Sequence, residues 1–188
     1  MSKLGRCVAV VLSSCIVAVC DGAQQSKVNP DAKIMQEFKD RIEQYMELHN
    51  RLEKDSPPLK ETADPAKIKA SQDTLAAKIR EARSSARQGD ILTAETRELF
   101  RRLMYPELKG PEGKETKQTI KDDSPAAITL KVNARYPEGA PLPTVPPNLL
   151  ARLPELPKDL EYRIVGKDLI LRDVHANVIV DFMPNAIR

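Results

Sequence analysis

Seven prolines fall between Pro137 and Pro157 (137, 141, 143, 146, 147, 154 and 157), and no regular helix or central strand can cross that stretch. Proline has no amide hydrogen for either ladder, and its ring blocks the helical turn before it. The chain must therefore finish one set of elements before the stretch and begin another after it. Upstream, apolar residues recur at helical spacing; downstream, they come in short runs rich in β-branched residues.

The upstream half carries repeated helix starts. Asn29-Pro30-Asp31 places a capping side chain, a first-turn proline and an acid at the positive helix end. Met35, Phe38, Ile42, Tyr45, His49 and Leu52 then follow at steps of three and four, a heptad-like seam that Ser56-Pro57-Pro58 ends. Asp64-Pro65 repeats the start. Ile68, Leu75, Ile79, Ala82 and Ala86 give a second seam running to Gly89. Thr93 is the next N-cap, ahead of an apolar face of Leu99, Phe100, Leu103 and Met104. The polar segment Lys109 to Asp123 has room for a short helix between Pro111 and Pro125. Short breaks between helices favour antiparallel neighbours.

Ile128, Leu130 and Val132 alternate with Thr129 and Lys131 as in a strand, and Asn148 to Arg152 can form one helical turn inside the proline-rich connector (137–157). The runs Leu160 to Val165, Asp168 to Asp173 and Val178 to Met183 are separated by turns of two and four residues, which predicts an antiparallel meander over 160–183. Leu169 and Leu171 are expected on one face, and Val178, Val180 and Phe182 together on one face of the last strand. Three strands need cover, and the helices are available to provide it. The fold class is α+β: an N-terminal helical hairpin or bundle (23–125), then the connector and a small β-meander within 126–188.

Residues 1–22 have the order of a secretory signal: Lys3 and Arg6, an apolar run from Cys7 to Val19, then Asp21-Gly22. The run is too short to span a bilayer, which takes about 20 residues. Small side chains suit cleavage before Ala23 or before Asp21. A competing lipoprotein reading uses Leu12-Ser13-Ser14-Cys15, or Val17-Ala18-Val19-Cys20, with membrane attachment only if the cysteine is lipidated. All three cysteines (Cys7, Cys15, Cys20) lie in the signal, so a chain cut after Cys20 or Gly22 has no disulfide, thiol chemistry or cysteine zinc site.

Lys+Arg total 30 against Asp+Glu 27, a net +3 without the basic excess of a nucleic-acid binder. Only two histidines are present. His49 falls on the first seam and reads as a partly buried imidazole satisfied nearby, the chemical alternative being a metal-ligating or proton-responsive group. His175 falls in a hairpin turn near Asp173 and Asp181 and reads as a solvated turn residue, the alternative being a ligand or base. No H-E-x-x-H, G-x-S-x-G or phosphate-loop pattern occurs. Carboxylate pairs such as Asp122-Asp123 are too many to select among. Arg80, Arg83, Arg87, Arg97, Arg101 and Arg102 cluster locally and read as a solvated face. The sequence therefore assigns no catalytic, cofactor-binding or metal residue, and no cofactor.

The closing run from Leu160 to Asn177 (LEYRIVGKDLILRDVHAN), the break Gln88-Gly89-Asp90-Ile91 and the loop Tyr136-Pro137-Glu138-Gly139-Ala140-Pro141-Leu142 resemble an uncharacterised family of exported bacterial proteins. That resemblance implies export from a bacterium and brings no activity. Leu92-Thr93-Ala94-Glu95-Thr96 is similar at two positions to the Leu-Thr-x-x-Gln of Spy-type periplasmic helical chaperones, with Thr96 in place of the glutamine; an ordinary Thr N-cap accounts for the same residues. The resulting expectation is an exported, periplasmic or secreted, non-enzymatic binding protein. Its expected partner is another envelope protein, or a second copy through the helical seams. A chaperone-like module and a hydrolase with an unrecognised site are the alternatives.

Overall fold

The computed structural model describes residues 29–56, 63–124 and 128–188. The leader at 1–22, the Pro57-Pro58 stop and the boundary at 125/126 lie outside the described residues. The architecture is α+β, with helices first and a three-stranded antiparallel sheet near the C-terminus.

Helix α1 runs Pro30–Lys54, its first turn closed by Asn29, whose side chain accepts from the Asp31 amide. Helix α2, Pro65–Ala82, starts in the same way from Asp64, which accepts from Ala66 N. Helix α3 is Ala94–Met104, capped by Thr93 through the Thr96 amide. A single 3-10 turn, Tyr105–Leu108, leads into α4, Gly110–Asp123. Gly113 is required at that joint, because a Cβ there would overlap the Leu108 carbonyl. The one-turn helix α5, Pro147–Leu150, interrupts the proline-rich connector. Strands β1 (Leu160–Val165), β2 (Asp168–Asp173) and β3 (Val178–Met183) pair in the order β1-β2-β3. Gly166 supplies the positive φ of 63° that the two-residue turn between β1 and β2 demands.

The main core lies between the helices and one sheet face. Phe38, Ile42 and Tyr45 of α1, Leu75 and Ile79 of α2, and Phe100 and Met104 of α3 pack there with Ile164, Leu169, Leu171, Val178 and Val180 of the sheet. Phe38, Ile42, Tyr45 and His49 of the first seam are buried, whereas of the second only Leu75 and Ile79 are, with Ile68 and Ala82 left exposed. Phe38 meets Phe100 edge-on at 5.2 Å, and Phe100 meets Tyr162 of β1 at 6.2 Å, both favourable quadrupolar arrangements. The opposite sheet face carries Val165, Ile170 and Ile179, covered by Tyr136 with Ile128, Leu130, Ala140 and Leu142. A sheet covered on both faces explains why β2 reads as a continuous apolar run, Leu169-Ile170-Leu171.

Three expectations are corrected. Residues 128–132 form no strand; the backbone meets β3 only beyond them, where Arg135 bridges Val178 with backbone bonds at Asn133, Ala134 and Tyr136 around it, and the segment serves as cover for the second face. Helix α2 stops at Ala82, short of Gly89, because Arg83 turns inward. Its guanidinium donates to Asn133 Oδ1 at 3.0 Å and to the Val180 carbonyl at 3.2 Å, while its own carbonyl accepts from Asn133 Nδ2. Phe182 does not share a face with Val178 and Val180. Leu171 opposes Asp181 and Arg172 opposes Ile179, so Val180 is an extra residue in β3. This bulge keeps Val178 and Val180 on the helical face and sends Phe182 to the other.

The bulge also orients Asp181, which is fully buried. Its Oδ2 accepts from the amides of Ile91 and Leu92 at 2.9 and 2.8 Å, and its Oδ1 from Gly89 N at 2.9 Å. One carboxylate thereby satisfies the loop between α2 and α3, and Gly89 takes φ 97° to present its amide.

Two outcomes are expected. Asp181→Ala leaves two buried amides, Ile91 and Leu92, and the half-buried Gly89 amide without their acceptor and should lower unfolding stability by about 3 kcal/mol, measured by urea denaturation. The Tyr162 hydroxyl is buried and has no partner among the described residues; Tyr162→Phe should therefore raise stability by about 1 kcal/mol. A lowered urea midpoint in Tyr162→Phe would show that the hydroxyl is satisfied after all.

Candidate functional site

Tyr45, His49 and Glu53 are spaced one helical turn apart, so α1 presents them as a single stripe running to its C-terminal end. Sheet packing brings that stripe against the end of β2. Asp173, the last residue of β2, has no solvent exposure. Its Oδ1 accepts from Ala176 N at 2.8 Å and holds the turn that follows. Its Oδ2 accepts from the Tyr45 hydroxyl at 2.7 Å and from His49 Nδ1 at 2.6 Å. The turn carries His175, and the Val174 amide bonds the Asp159 carbonyl at 2.9 Å, drawing the end of the connector into the same place.

Two imidazoles and two further carboxylates therefore surround one point. The His49 and His175 rings are 5.8 Å apart. His175 Nδ1 bonds Glu53 Oε1 at 3.1 Å, and its Nε2 lies 3.3 Å from Asp159 Oδ1. His49 Nε2 lies 3.7 Å from Glu53 Oε2, and it is buried with no hydrogen-bond partner among the described residues. His49 and Asp173 are wholly enclosed, whereas Glu53 and His175 keep about half their side-chain exposure (48% and 45%), so the cluster is dry on one side and open on the other.

The electrostatics follow from this arrangement. Burial disfavours the His49 cation, but the bond to Asp173 and the fields of Asp173, Glu53 and Asp159 outweigh it and raise the pKa above the ordinary 6.5. Burial likewise acts upward on Asp173, and the bonds from His49, Ala176 and Tyr45 overcome it, leaving the carboxyl below the ordinary 3.8. Tyr45 is pushed well above its usual range by burial and by the adjacent Asp173 charge. The Arg83 guanidinium stacks 5.1 Å from the Tyr45 ring centroid and balances part of that charge.

An open groove of about 490 Å³ runs along α1 beside this cluster. Its apolar wall is Phe38, Ile42 and Met46, and Asn50, Glu155, Pro157 and Asp159 line it as well. Asp159 is common to both.

Sequence reading places the two histidines in separate settings, and the fold brings them together. His49 is satisfied by a residue 124 positions away rather than nearby, and at one nitrogen only. His175 does stand in the turn, but Asp173 serves His49 and Asp181 serves the α2–α3 loop. Glu53 and Asp159 are not distinguishable as site residues from the sequence. The one available signal is the stripe of Tyr45 and His49 on an apolar seam, since two polar heads at core positions require a buried acceptor. The arginine cluster disperses: Arg83 turns inward, Arg101 donates to the Pro184 carbonyl, and Arg102 pairs with Asp31.

No protein-family model, curated protein or solved structure matches the chain. No helix among the described residues is long and apolar enough to cross a membrane.

The Asp173–His49 pair should make stability depend on pH in a defined window. His49, with its raised value, contributes fully below pH 6.5 and loses that contribution as the pH climbs through its folded value. Asp173, with its lowered value, contributes fully above pH 3.8 and loses it as the pH falls through its folded value. Asp173→Asn should cost about 3 kcal/mol where both contributions are present. Urea midpoints of wild type and variant should differ most between pH 3.8 and 6.5, and the difference should shrink on either side; a gap independent of pH would contradict the charged pair.

Proposed function

We propose that this is an exported bacterial protein that acts by binding, and that its binding site is the α1 groove together with the polar cluster at its end. The observation that carries this reading is the continuity of the two through Asp159, which lines the groove and faces His175 Nε2 at 3.3 Å. An apolar channel ending in a few convergent polar groups, one with a shifted pKa, is the usual form of a ligand site. Export rests on the leader pattern at 1–22 and on the absence of cysteine beyond Cys20. A partner from the cell envelope suits both.

A hydrolytic reading has one observation in its favour. The Asp173–His49 pair has the arrangement of a general base oriented by a carboxylate. Among the described residues, however, no hydroxyl or thiol bonds His49 Nε2, so the nucleophile that such a base would activate is missing from its side.

Photo-cross-linking in the native envelope tests the binding reading. A photoreactive residue at Lys39 or Lys158, both exposed on the groove rim, should give a discrete adduct, and the same group at Lys114 on α4 should not. Equal labelling at all three positions, or none at any, would remove the groove as the binding face. Recovery of the protein in the cytoplasmic fraction would remove export.

A further inference from the structure

We infer that His49, Glu53 and His175 form a binding site for a divalent transition-metal ion of the zinc class. This deepens the binding reading above, since the ion would occupy the polar end of that same site. One ligand atom from each of the three residues lies within 4.8 Å of the other two. Tetrahedral zinc with bonds of about 2.1 Å sets its ligand atoms roughly 3.4 Å apart, so closure needs movements of about 1 Å. Glu53 and His175 are the half-exposed members, free to make that movement, while His49 is held.

The orientation of the two imidazoles argues for the ion more strongly than proximity does. Each ring has one nitrogen facing a carboxylate outside the trio: His49 Nδ1 bonds Asp173 Oδ2 at 2.6 Å, and His175 Nε2 faces Asp159 Oδ1 at 3.3 Å. That leaves His49 Nε2 and His175 Nδ1 both directed at Glu53. Carboxylates behind histidines, fixing tautomer and ring orientation, are the regular outer shell of histidine metal sites. Asp173 is itself fixed, by the Ala176 amide and the Tyr45 hydroxyl. The inner His49 nitrogen is fully buried and unpartnered among the described residues, a cost that a metal bond would relieve.

The donor set selects the ion. Two imidazoles and one carboxylate suit zinc, cobalt, nickel or copper in preference to calcium or magnesium, which take oxygen ligands. Three protein ligands with an open side match sites that keep a fourth position for water or an incoming group. Here that position faces the exposed side of Glu53 and His175.

Isothermal titration of the untagged chain lacking the leader 1–22, and with it Cys7, Cys15 and Cys20, with zinc sulfate should show a site that Glu53→Gln and His175→Ala each weaken by roughly 100-fold. Asp159→Asn, one shell out, should weaken it roughly tenfold. Both first-named side chains are half exposed, so these variants should keep the wild-type circular dichroism; Glu47→Gln, elsewhere on α1, should bind as wild type does. Cobalt(II) should give visible d–d absorption with wild type that His175→Ala abolishes. No zinc or cobalt uptake at micromolar metal would overturn the inference. Equal affinity in wild type and His175→Ala would overturn it as well. Failure here with groove cross-links intact removes the metal and keeps the binding reading; metal uptake without groove cross-links does the reverse.

Discussion

The structure depends on one buried carboxylate. Asp173 closes the last turn of the sheet with one oxygen and fastens α1 with the other, taking hydrogen bonds from Tyr45 and His49. A buried anion is tolerable only when its lone pairs are filled by donors and a cation stands near it. The Tyr45 hydroxyl, His49 Nδ1 and the Ala176 amide are those donors, and the raised pKa of His49 favours a cation beside the carboxylate. The long first helix is thereby set in register against β2, and with it the apolar stripe of Phe38, Ile42 and Tyr45 over the sheet.

A second carboxylate acts in parallel at the other end of the meander. Asp181 gathers the amides of the α2–α3 loop, and at the bulge the Val180 carbonyl accepts from Arg83. The two aspartates attach the helical layer to the sheet through directional contacts, while the apolar core between them supplies the non-directional attraction. The difference between them is their surroundings. Asp181 accepts from backbone amides, whereas Asp173 is bonded to a histidine whose second nitrogen has no hydrogen-bond partner among the described residues. A residual buried donor or acceptor beside a groove is where binding chemistry can be added without disturbing the fold.

The candidate site was poorly legible in the sequence for a physical reason. Its members come from α1, the end of the connector and the β2–β3 turn, and no local spacing links His49 to Asp159, Asp173 or His175. Glu53 resembles every other acid on a solvated helix face until His175 is placed beside it. Tyr45 and His49 were visible as seam positions, but a seam pattern reports burial and says nothing of what the polar atoms meet. The Phe182 error has a similar origin, since alternation counts residues along one strand and a bulge depends on the neighbour strand and on Arg83.

Where local stereochemistry is sufficient, the sequence alone determined the outcome. Prolines and capping side chains set the starts of α1, α2 and α3, Gly166-Lys167 and Val174–Asn177 set the two hairpin turns, and the proline-rich stretch separated helices from strands. Each of these depends on torsion angles and hydrogen bonds within a few residues. Only the tertiary structure decided that 128–142 covers the second face of the sheet, that α2 ends at Ala82, and that two distant histidines converge on one glutamate. Those outcomes depend on which surfaces meet, and contact between distant surfaces is set by burying the whole apolar area at once rather than by any short run of residues.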